Sequence, residues 1–411
     1  MRIIVVGAGI VGMASAWWLA QEGHEVTVVD RAAAPGQGTS FANGAQLSYD
    51  YVAPMASPDV LRSLPKYLFA RHSPVRFVPA IDPAQWVWGL GFLTACSART
   101  SAENTARLLA LSHHSRTALH AMLARTPMDF SHRRNGKLVV QSSREGMAAA
   151  EAQRQLQAAL GSVQQALTAA ECLALEPGLA SIADRLVGGI FTPGEEVGDC
   201  RMLCAELQRV LTPAVSFRFG TDVQGLVMDG RRVAGLRTGA GVLEAELYVV
   251  AAGVGSPALA GRRLPVRGVR GYSITARLRD DHAAPVRSIT DIARKTVYAP
   301  LGGAMRVAGF AEIDNAGAIL RPGRIGELTG TLEATFPGLC VLDDVQPWAG
   351  LRPATPNDLP RIGRTRVDNL LLNTGHGSLG FTLAAGSARL LADVVAGRPT
   401  GLSHAAYAPE V

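Results

Sequence analysis

The sequence predicts an α/β chain, α+β once its two parts are taken together. One part carries a parallel sheet, and a second, mainly antiparallel part interrupts it. Three observations predict this. The chain opens on a buried-strand pattern, a glycine turn and a helix. Its middle carries short strands in quick succession with few helices. Its C-terminal part returns to strand, turn and helix.

The opening stretch justifies the first of these. Ile3 to Val6 is a short apolar, β-branched run that suits a buried parallel strand. Gly7-Ala8-Gly9-Ile10-Val11-Gly12 follows with the G-x-G-x-x-G spacing, then a helical stretch to about Glu22 and a stop at Gly23. A second strand, Glu25 to Val29, ends at Asp30 and Arg31. Gly7 allows the tight turn, Gly9 lets the backbone approach a pyrophosphate, and Gly12 lets helix and strand pack closely. The helix N-terminus offers free N–H groups to phosphate, and Asp30 lies where a ribose hydroxyl needs an acceptor. The combination reads as a Rossmann-like dinucleotide site. Ile3 to Gln21 is uncharged and long enough to span a bilayer, but three glycines in six residues break a helix there.

With 411 residues the chain suggests two domains or interleaved lobes, and 48% hydrophobic against 18% charged content suits a large core. The net charge of +6 comes from scattered arginines; Lys66, Lys137 and Lys295 are the lysines. No basic run interleaves with aromatics, which argues against nucleic acid as a partner. Cys96, Cys172, Cys200, Cys204 and Cys340 include no C-x-x-C, so buried thiols in a reducing compartment are expected and no metal site. The N-terminus enters the first strand directly, so a cytoplasmic location is expected.

Residues 31–57 form a connection rich in Gly, Ser, Asn and Pro, of a length that is functional or disordered. Pro58 to Ala98 is marked by Leu61, Leu64, Tyr67, Leu68 and Phe69, then by two helical stripes: Trp86, Leu90 and Leu93 on one, Trp88 and Phe92 on the other. A helix apolar on several sides is buried; the alternative is an interfacial segment on a membrane. A long helix is expected over 101–125, and a hairpin over Met128 to Val140 turning at Asn135-Gly136. Helical patches near 144–160 and 168–175 precede a strand at Val187 to Thr192. Asp199 caps a helix reaching Leu211. Strands follow at Val215 to Phe219, Val223 to Met228, Arg232 to Arg237 and Leu247 to Ala251, then at Arg267 to Arg277, Thr296 to Leu301 and Met305 to Ala311. Leu370 to Asn373 is a strand, Gly375-His376-Gly377 a turn, and Leu379 to Val395 a helix.

Four further stretches carry a resemblance: Thr39-Ser40-Phe41-Ala42-Asn43-Gly44-Ala45-Gln46, Gly271-Tyr272-Ser273, Gly350-Leu351-Arg352-Pro353-Ala354-Thr355-Pro356, and Asn373-Thr374-Gly375-His376-Gly377-Ser378-Leu379-Gly380. With the opening glycines they resemble the FAD-dependent D-amino-acid oxidase and dehydrogenase superfamily nearly end to end. Within it they are most similar to the bacterial D-amino-acid dehydrogenase small subunits. The resemblance implies a discontinuous FAD-binding domain over 1–85, 145–265 and 345–411, and a substrate domain over 86–144 and 266–344. It implies non-covalent FAD on Gly7, Gly9, Ile10, Val11, Gly12, Asp30 and Arg31, then on Ser40, Asn43, Gly44, Ala45, Gln46 and Leu47. Val223 would meet adenine, Ala251, Ala252 and Gly253 would back the ADP half, and Gly350, Arg352, Gly375, His376, Gly377, Ser378, Leu379, Gly380 and Thr382 would surround the flavin.

The chemistry of these residues agrees. A helix N-terminus beside the flavin pyrimidine would stabilise the negative charge of the reduced ring. Arg352 is the candidate for the substrate carboxylate, because a guanidinium gives it two parallel hydrogen bonds. Tyr272 matches the family's active-site tyrosine, and its phenol is expected to donate to the same carboxylate. Tyr49, Tyr51, Tyr298 and His376 are weaker pocket candidates, with His376 expected to serve through its backbone and position. Thr355-Pro356-Asn357-Asp358 departs from the family, which often has Asp then Gly there, and the departure is expected to alter a loop near the flavin. The resemblance implies oxidative deamination of D-amino acids, D-proline or a hydroxy-D-proline among them. Hydride would pass from Cα to flavin N5, and electrons would go to a quinone or other respiratory acceptor, with peripheral contact at the inner membrane face. The rivals are an oxygen-using oxidase of the glycine or sarcosine type, a noncatalytic flavin relay subunit, and an NAD(P) dehydrogenase. Oligomeric state is not fixed by the sequence.

Overall fold

The computed structural model describes residues 1–61, 73–261 and 263–409. Leu64, Tyr67, Leu68 and Phe69 lie outside them. The nucleotide sheet runs Arg361–Arg364 (β19), Leu370–Thr374 (β20), Leu247–Val250 (β13), Arg2–Val6 (β1), Glu25–Val29 (β2) and Val215–Arg218 (β9). All its pairings are parallel except β19 on β20. β1 is flanked on both sides, and Ile3 and Val5 are almost fully buried, as a continuous apolar run requires. Helix α1 (Ile10–Gln21) leaves the turn after β1.

The second sheet follows the order Gln346–Ala354 (β18), Arg267–Arg277 (β14), Ala304–Ile313 (β17), Thr296–Leu301 (β16), Ser288–Asp291 (β15), Lys137–Gln141 (β5), Gly188–Thr192 (β7) and Gln165–Thr168 (β6). Val75–Phe77 (β4) adds to β17. The pairing is antiparallel except for β15 on β5 and β4 on β17. Gln46–Leu47 (β3) and Glu196–Val197 (β8) form a two-stranded link, and Val223–Asp229 (β10), Arg232–Thr238 (β11) and Gly241–Leu243 (β12) a small meander.

Among the described residues, the α-helices that follow α1 are α2 (Pro83–Ala95), α3 (Ala98–Arg125), α4 (Arg144–Ala158), α5 (Ala169–Leu175), α6 (Cys200–Leu211), α7 (Ser256–Ala260), α8 (Pro322–Thr335) and α9 (Gly380–Val395). The Asp199 side chain accepts the Met202 N–H as the cap of α6. The five cysteines are free and buried. α9 is apolar on nearly every face because it lies inside the core between α1 and α3.

Three expectations need correction. The 128–140 hairpin does not form. Gly136 does turn, at φ +76°, but the arm before it meets β8 through Arg133 and Val197, while β5 pairs with β7 and β15. Non-local pairing outweighs the local turn signal. The expected domain boundaries also move. Leu108, Leu111, Leu119 and Met122 of α3 share a core with Ile3, Trp17 and Leu383, which joins α3 to the nucleotide layer. β6, β7 and β18 lie in the second sheet, and Cys172, Leu179 and Ile182 pack in its core. Finally, α2 is not buried all round. Trp88 and Phe92 stack at 5.2 Å and pack inward, and Trp88 Nε1 donates to Ala354 O, while Trp86, Val87, Leu90 and Leu93 are exposed.

Candidate active site

A cavity of about 960 Å³ is walled by residues of both sheets. Gly7, Gly9, Ile10, Val11, Asp30, Arg31, Val223, Ala251, Ala252 and Gly253 line the part beside the α1 N-terminus. Ser40, Asn43, Gly44, Ala45 and Gln46 line its length, and Gly350, Arg352, His376, Gly377, Ser378, Leu379, Gly380 and Thr382 line the part beside α9. Gly12, Leu47 and Gly375 are not on the wall. A Cβ on Gly12 would fall 1.8 Å from Gly7 O, so α1 and β1 approach as closely as they do only with glycine there. Leu47 is buried in the core.

The donor set beside α1 suits a dinucleotide. Asp30 accepts the N–H of Ala8 at 2.6 Å through Oδ2 and that of Ala32 at 2.8 Å through Oδ1. Each carboxylate oxygen keeps a lone pair for a ribose hydroxyl. Ser40 Oγ accepts the N–H of Ile10, the first residue of α1, at 3.0 Å and so ties the long 31–57 connection to the helix N-terminus. That N-terminus has no acidic residue in its first turn, which leaves its positive end for phosphate.

Beside α9 the wall is built from distant strands. Arg352 of β18 pairs with Val269 of β14, and its guanidinium lies across Gly271. A Cβ there would come within 2.4–2.7 Å of the guanidinium atoms. Nη1 donates to Phe310 O at 2.8 Å. Among the described residues no carboxylate pairs with Arg352. Burial lowers its pKa to about 10, so it remains a cation at neutral pH. An uncompensated guanidinium on a cavity wall is a receptor for an anion.

The tyrosines divide differently from expectation. Tyr272 lines the cavity, but its ring packs in the second core, and its hydroxyl donates to Glu312 at 2.8 Å and accepts from Arg270 Nε at 2.8 Å. Burial, then Glu312, raises its pKa to about 12. The phenol is thus committed to a buried ion-pair cluster behind the strand, where it cannot also donate to a carboxylate on Arg352. Tyr298 is not on the wall. Along β16 its neighbour Val297 faces the cavity, so alternation sends Tyr298 into the second core, where its hydroxyl meets Thr335 at 3.0 Å. Tyr49 is buried in the nucleotide-side core, also off the wall, whereas Tyr51 lines it. The backbone of His376 lines the cavity. Its ring is buried, with Nε2 3.0 Å from Ser387 Oγ of α9, and burial lowers its pKa to about 3. It is neutral and held by the helix.

Sequence reasoning missed Lys137 and Asp358 on the wall, and Glu195 and Arg306, which brace it from behind. Lys137 is buried, 3.0 Å from Ser48 Oγ, and burial lowers its pKa to about 8. Its rarity among 40 basic residues was the available signal. Glu195 accepts the N–H groups of Tyr49, Asp50 and Tyr51 and fixes the segment that follows β3. Arg306 bonds Asn43 O at 2.9 Å and holds the loop before β3. Asp358 adopts φ +59°, a conformation that favours glycine, and accepts the Ala56 N–H at 3.1 Å. The Asn357-Asp358 departure therefore puts an acid on the cavity wall, and burial raises its pKa to about 6.

Comparison with known proteins decides which dinucleotide this cavity serves. Residues 2–394 match the model of the family described as FAD dependent oxidoreductase. The chain belongs to that family. Among curated relatives of this oxidoreductase, D-amino acid dehydrogenase 2 of Ralstonia nicotianae is 47% identical, over 99% of both chains. Among solved structures, L-proline dehydrogenase from P. horikoshii superposes with a TM-score of 0.78 at 16% identity, covering 99% of this chain and 96% of the other. Glycine oxidase from Bacillus cereus gives 0.76 at 18%, covering 100% and 99%. These two establish the fold. The cofactor of this oxidoreductase is FAD, and the residues beside α1 fit its ADP half.

Proposed function

We propose that this FAD-dependent oxidoreductase is a D-amino-acid dehydrogenase. The observation that carries the reading is Arg352, a cation on the cavity wall whose hydrogen-bond partner among the described residues is the Phe310 carbonyl. The substrate's α-carboxylate completes it with two parallel hydrogen bonds. Gly271 leaves room for the guanidinium to lie flat, and the Phe310 carbonyl fixes its rotation, so the carboxylate is held in one orientation. That orientation selects which face of Cα meets the ring. FAD, held beside α1 by the glycine turn, Asp30 and Ser40, would supply the hydride acceptor for the Cα hydrogen. His376, with its ring on Ser387 and its pKa lowered by burial to about 3, is too weak a base for the amine proton, which leaves to water. The imine that results is hydrolysed to a 2-oxo acid and ammonia; a ring amine such as D-proline stops at the cyclic imine. D-handedness is supported by the names of the full-length relatives.

Electrons go on to a quinone in preference to oxygen. The exposed face of α2 supports this: Trp86, Val87, Leu90 and Leu93, with Ile81 just ahead of the helix, present an apolar surface that suits the headgroup region of a bilayer. The protein then works at the cytoplasmic face of the membrane. The deciding experiment is an anaerobic visible spectrum of the purified enzyme against paired D- and L-amino acids. Flavin bands bleached by D-substrates alone are expected, and bleaching by L-substrates alone would overturn the handedness. Oxygen consumption at the rate of turnover would replace the quinone with the oxidase reading.

A further inference from the structure

The proposed reaction uses Arg352 and leaves Lys137 without a task. Lys137 opens β5, directly after the Gly136 turn, and only 6% of it is exposed. It sits on the cavity wall with its ammonium 3.0 Å from Ser48 Oγ and 4.9 Å from the centre of the Tyr51 ring. No carboxylate lies within ion-pair distance of it among the described residues. The nearest acid in its surroundings, Glu195, is occupied by three backbone N–H groups. Burying the ammonium is costly and lowers its pKa to about 8, and the charge of Glu195, which lies beyond ion-pair distance, offsets only part of that cost. On the cavity wall, the ammonium is available to negative charge on a bound ligand.

The sheet itself indicates which ligand. The Arg352 guanidinium reaches the backbone of β17, whereas Lys137 belongs to β5, three strands further along. Strands are spaced about 4.8 Å apart, so roughly 14 Å of sheet separates the strand that the guanidinium touches from the strand that carries Lys137. That is much more than the few ångströms between the carboxylate and amine of one amino acid. This spacing favours a partner for Lys137 other than the substrate amine. On its other side, Ser48 N–H donates to Thr382 Oγ1 at 3.0 Å, and Thr382 is in the first turn of α9. One serine thus joins the ammonium to the positive end of a core helix, and Ser48, Lys137 and Thr382 all line the cavity. The ADP half of FAD is accounted for beside α1, which leaves this end for the flavin ring. Reduction of that ring places negative charge on N1 and C2=O.

We propose that Lys137 compensates the charge of the reduced flavin: with the α9 N-terminus, and linked to it by Ser48, it forms one electropositive corner that sets the reduction potential of the enzyme. The inference rests on FAD occupying this cavity, and not on the identity of the substrate. Lys137 acts on the cofactor's equilibrium and is a positioning residue.

The test is an anaerobic redox titration of FAD-loaded wild-type, Lys137→Met and Lys137→Arg enzymes against a reference dye at pH 7. In Lys137→Met the oxidised form should gain at least tenfold over the reduced form, about 30 mV for a two-electron couple. Lys137→Arg should stay within threefold of wild type. An unchanged potential in a Lys137→Met enzyme that holds FAD overturns the proposal. So does an unchanged potential with a selective loss of kcat/KM for D-aspartate and D-glutamate relative to D-alanine, since Lys137 would then read the substrate side chain. If Lys137→Met fails to hold FAD, Ser48→Ala decides: a lowered potential supports the corner, and wild-type behaviour overturns it. A shifted potential in an enzyme that no D-amino acid reduces would leave this inference standing and overturn only the substrate reading.

Discussion

The two ends of the cavity are built on opposite plans. Beside α1 the wall is founded on neighbours in sequence: β1, the glycine turn, α1 and β2 lie within residues 2–30, and Val223 and residues 251–253 only complete it. Beside α9 it comes from strands far apart in the chain, and each functional side chain is aimed by another. Arg352 is aimed by Gly271 and Phe310, Tyr272 by Arg270 and Glu312, and Lys137 by Ser48. The first plan recognises a constant group and works with almost any side chains that fold. The second recognises a small variable molecule, and its meaning lies in pairwise contacts. The first should therefore break through backbone space, and the second through single functional groups.

The largest effect should come from Gly12→Ala. The added methyl has no place between α1 and Gly7 O, so helix and strand must separate. Purified protein should carry no flavin and melt at a lower temperature; a variant that remains yellow at full stoichiometry would show that the close approach is dispensable. Next is Arg352→Met, which removes a charged bidentate partner worth about 3–5 kcal/mol, or a loss of roughly 10²–10⁴ in kcat/KM. Its FAD content should be unchanged, because the ADP half is held elsewhere. Retained kcat/KM would end the carboxylate assignment.

Asp358→Asn should act through pH. The acid's folded pKa is raised from 3.8 to about 6 by burial. The native state thus holds the proton more tightly than the unfolded chain does. The stability this gives is fully present below pH 3.8 and is lost as pH rises through about 6. The shift of about two units corresponds to about 3 kcal/mol. Asparagine tolerates the positive φ. The variant should gain up to that amount over wild type at pH 8 and little at pH 4, as read by thermal denaturation; equal gains at both would remove the burial explanation.

The smallest effect separates the tyrosine from the arginine beside it. Because the Tyr272 hydroxyl serves Glu312 and Arg270, Tyr272→Phe should cost about 1 kcal/mol of stability and change kcat/KM less than tenfold. A loss comparable to that of Arg352→Met would return the phenol to the substrate.

Much of the fold was legible in the chain. The strands at 267–277 and 296–301 have the bounds expected of them, and Asp199 caps its helix as its place ahead of a helical stretch foretold. The nucleotide end was legible too, because glycines, strand and acid stand within one local unit and the spacing itself is the structure. β18, β15 and α8 went unassigned. In β18, Pro347, Trp348, Gly350 and Pro353 obscure the alternation, and the strand exists because β14 offers it a partner.

By itself, then, the sequence determined the parallel sheet, the dinucleotide turn and the presence of an arginine, a tyrosine and a histidine in recognisable surroundings. Tertiary structure alone decided what each of those side chains does. Tyr298 turned inward while Val297 faced the cavity, His376 gave its ring to Ser387, and an unremarked lysine was brought to the wall by non-local strand pairing. The reason is physical. Backbone groups act where the chain's own dihedrals put them, so local sequence can specify them. A side chain's charge and direction depend on neighbours that are adjacent only after the sheet has formed.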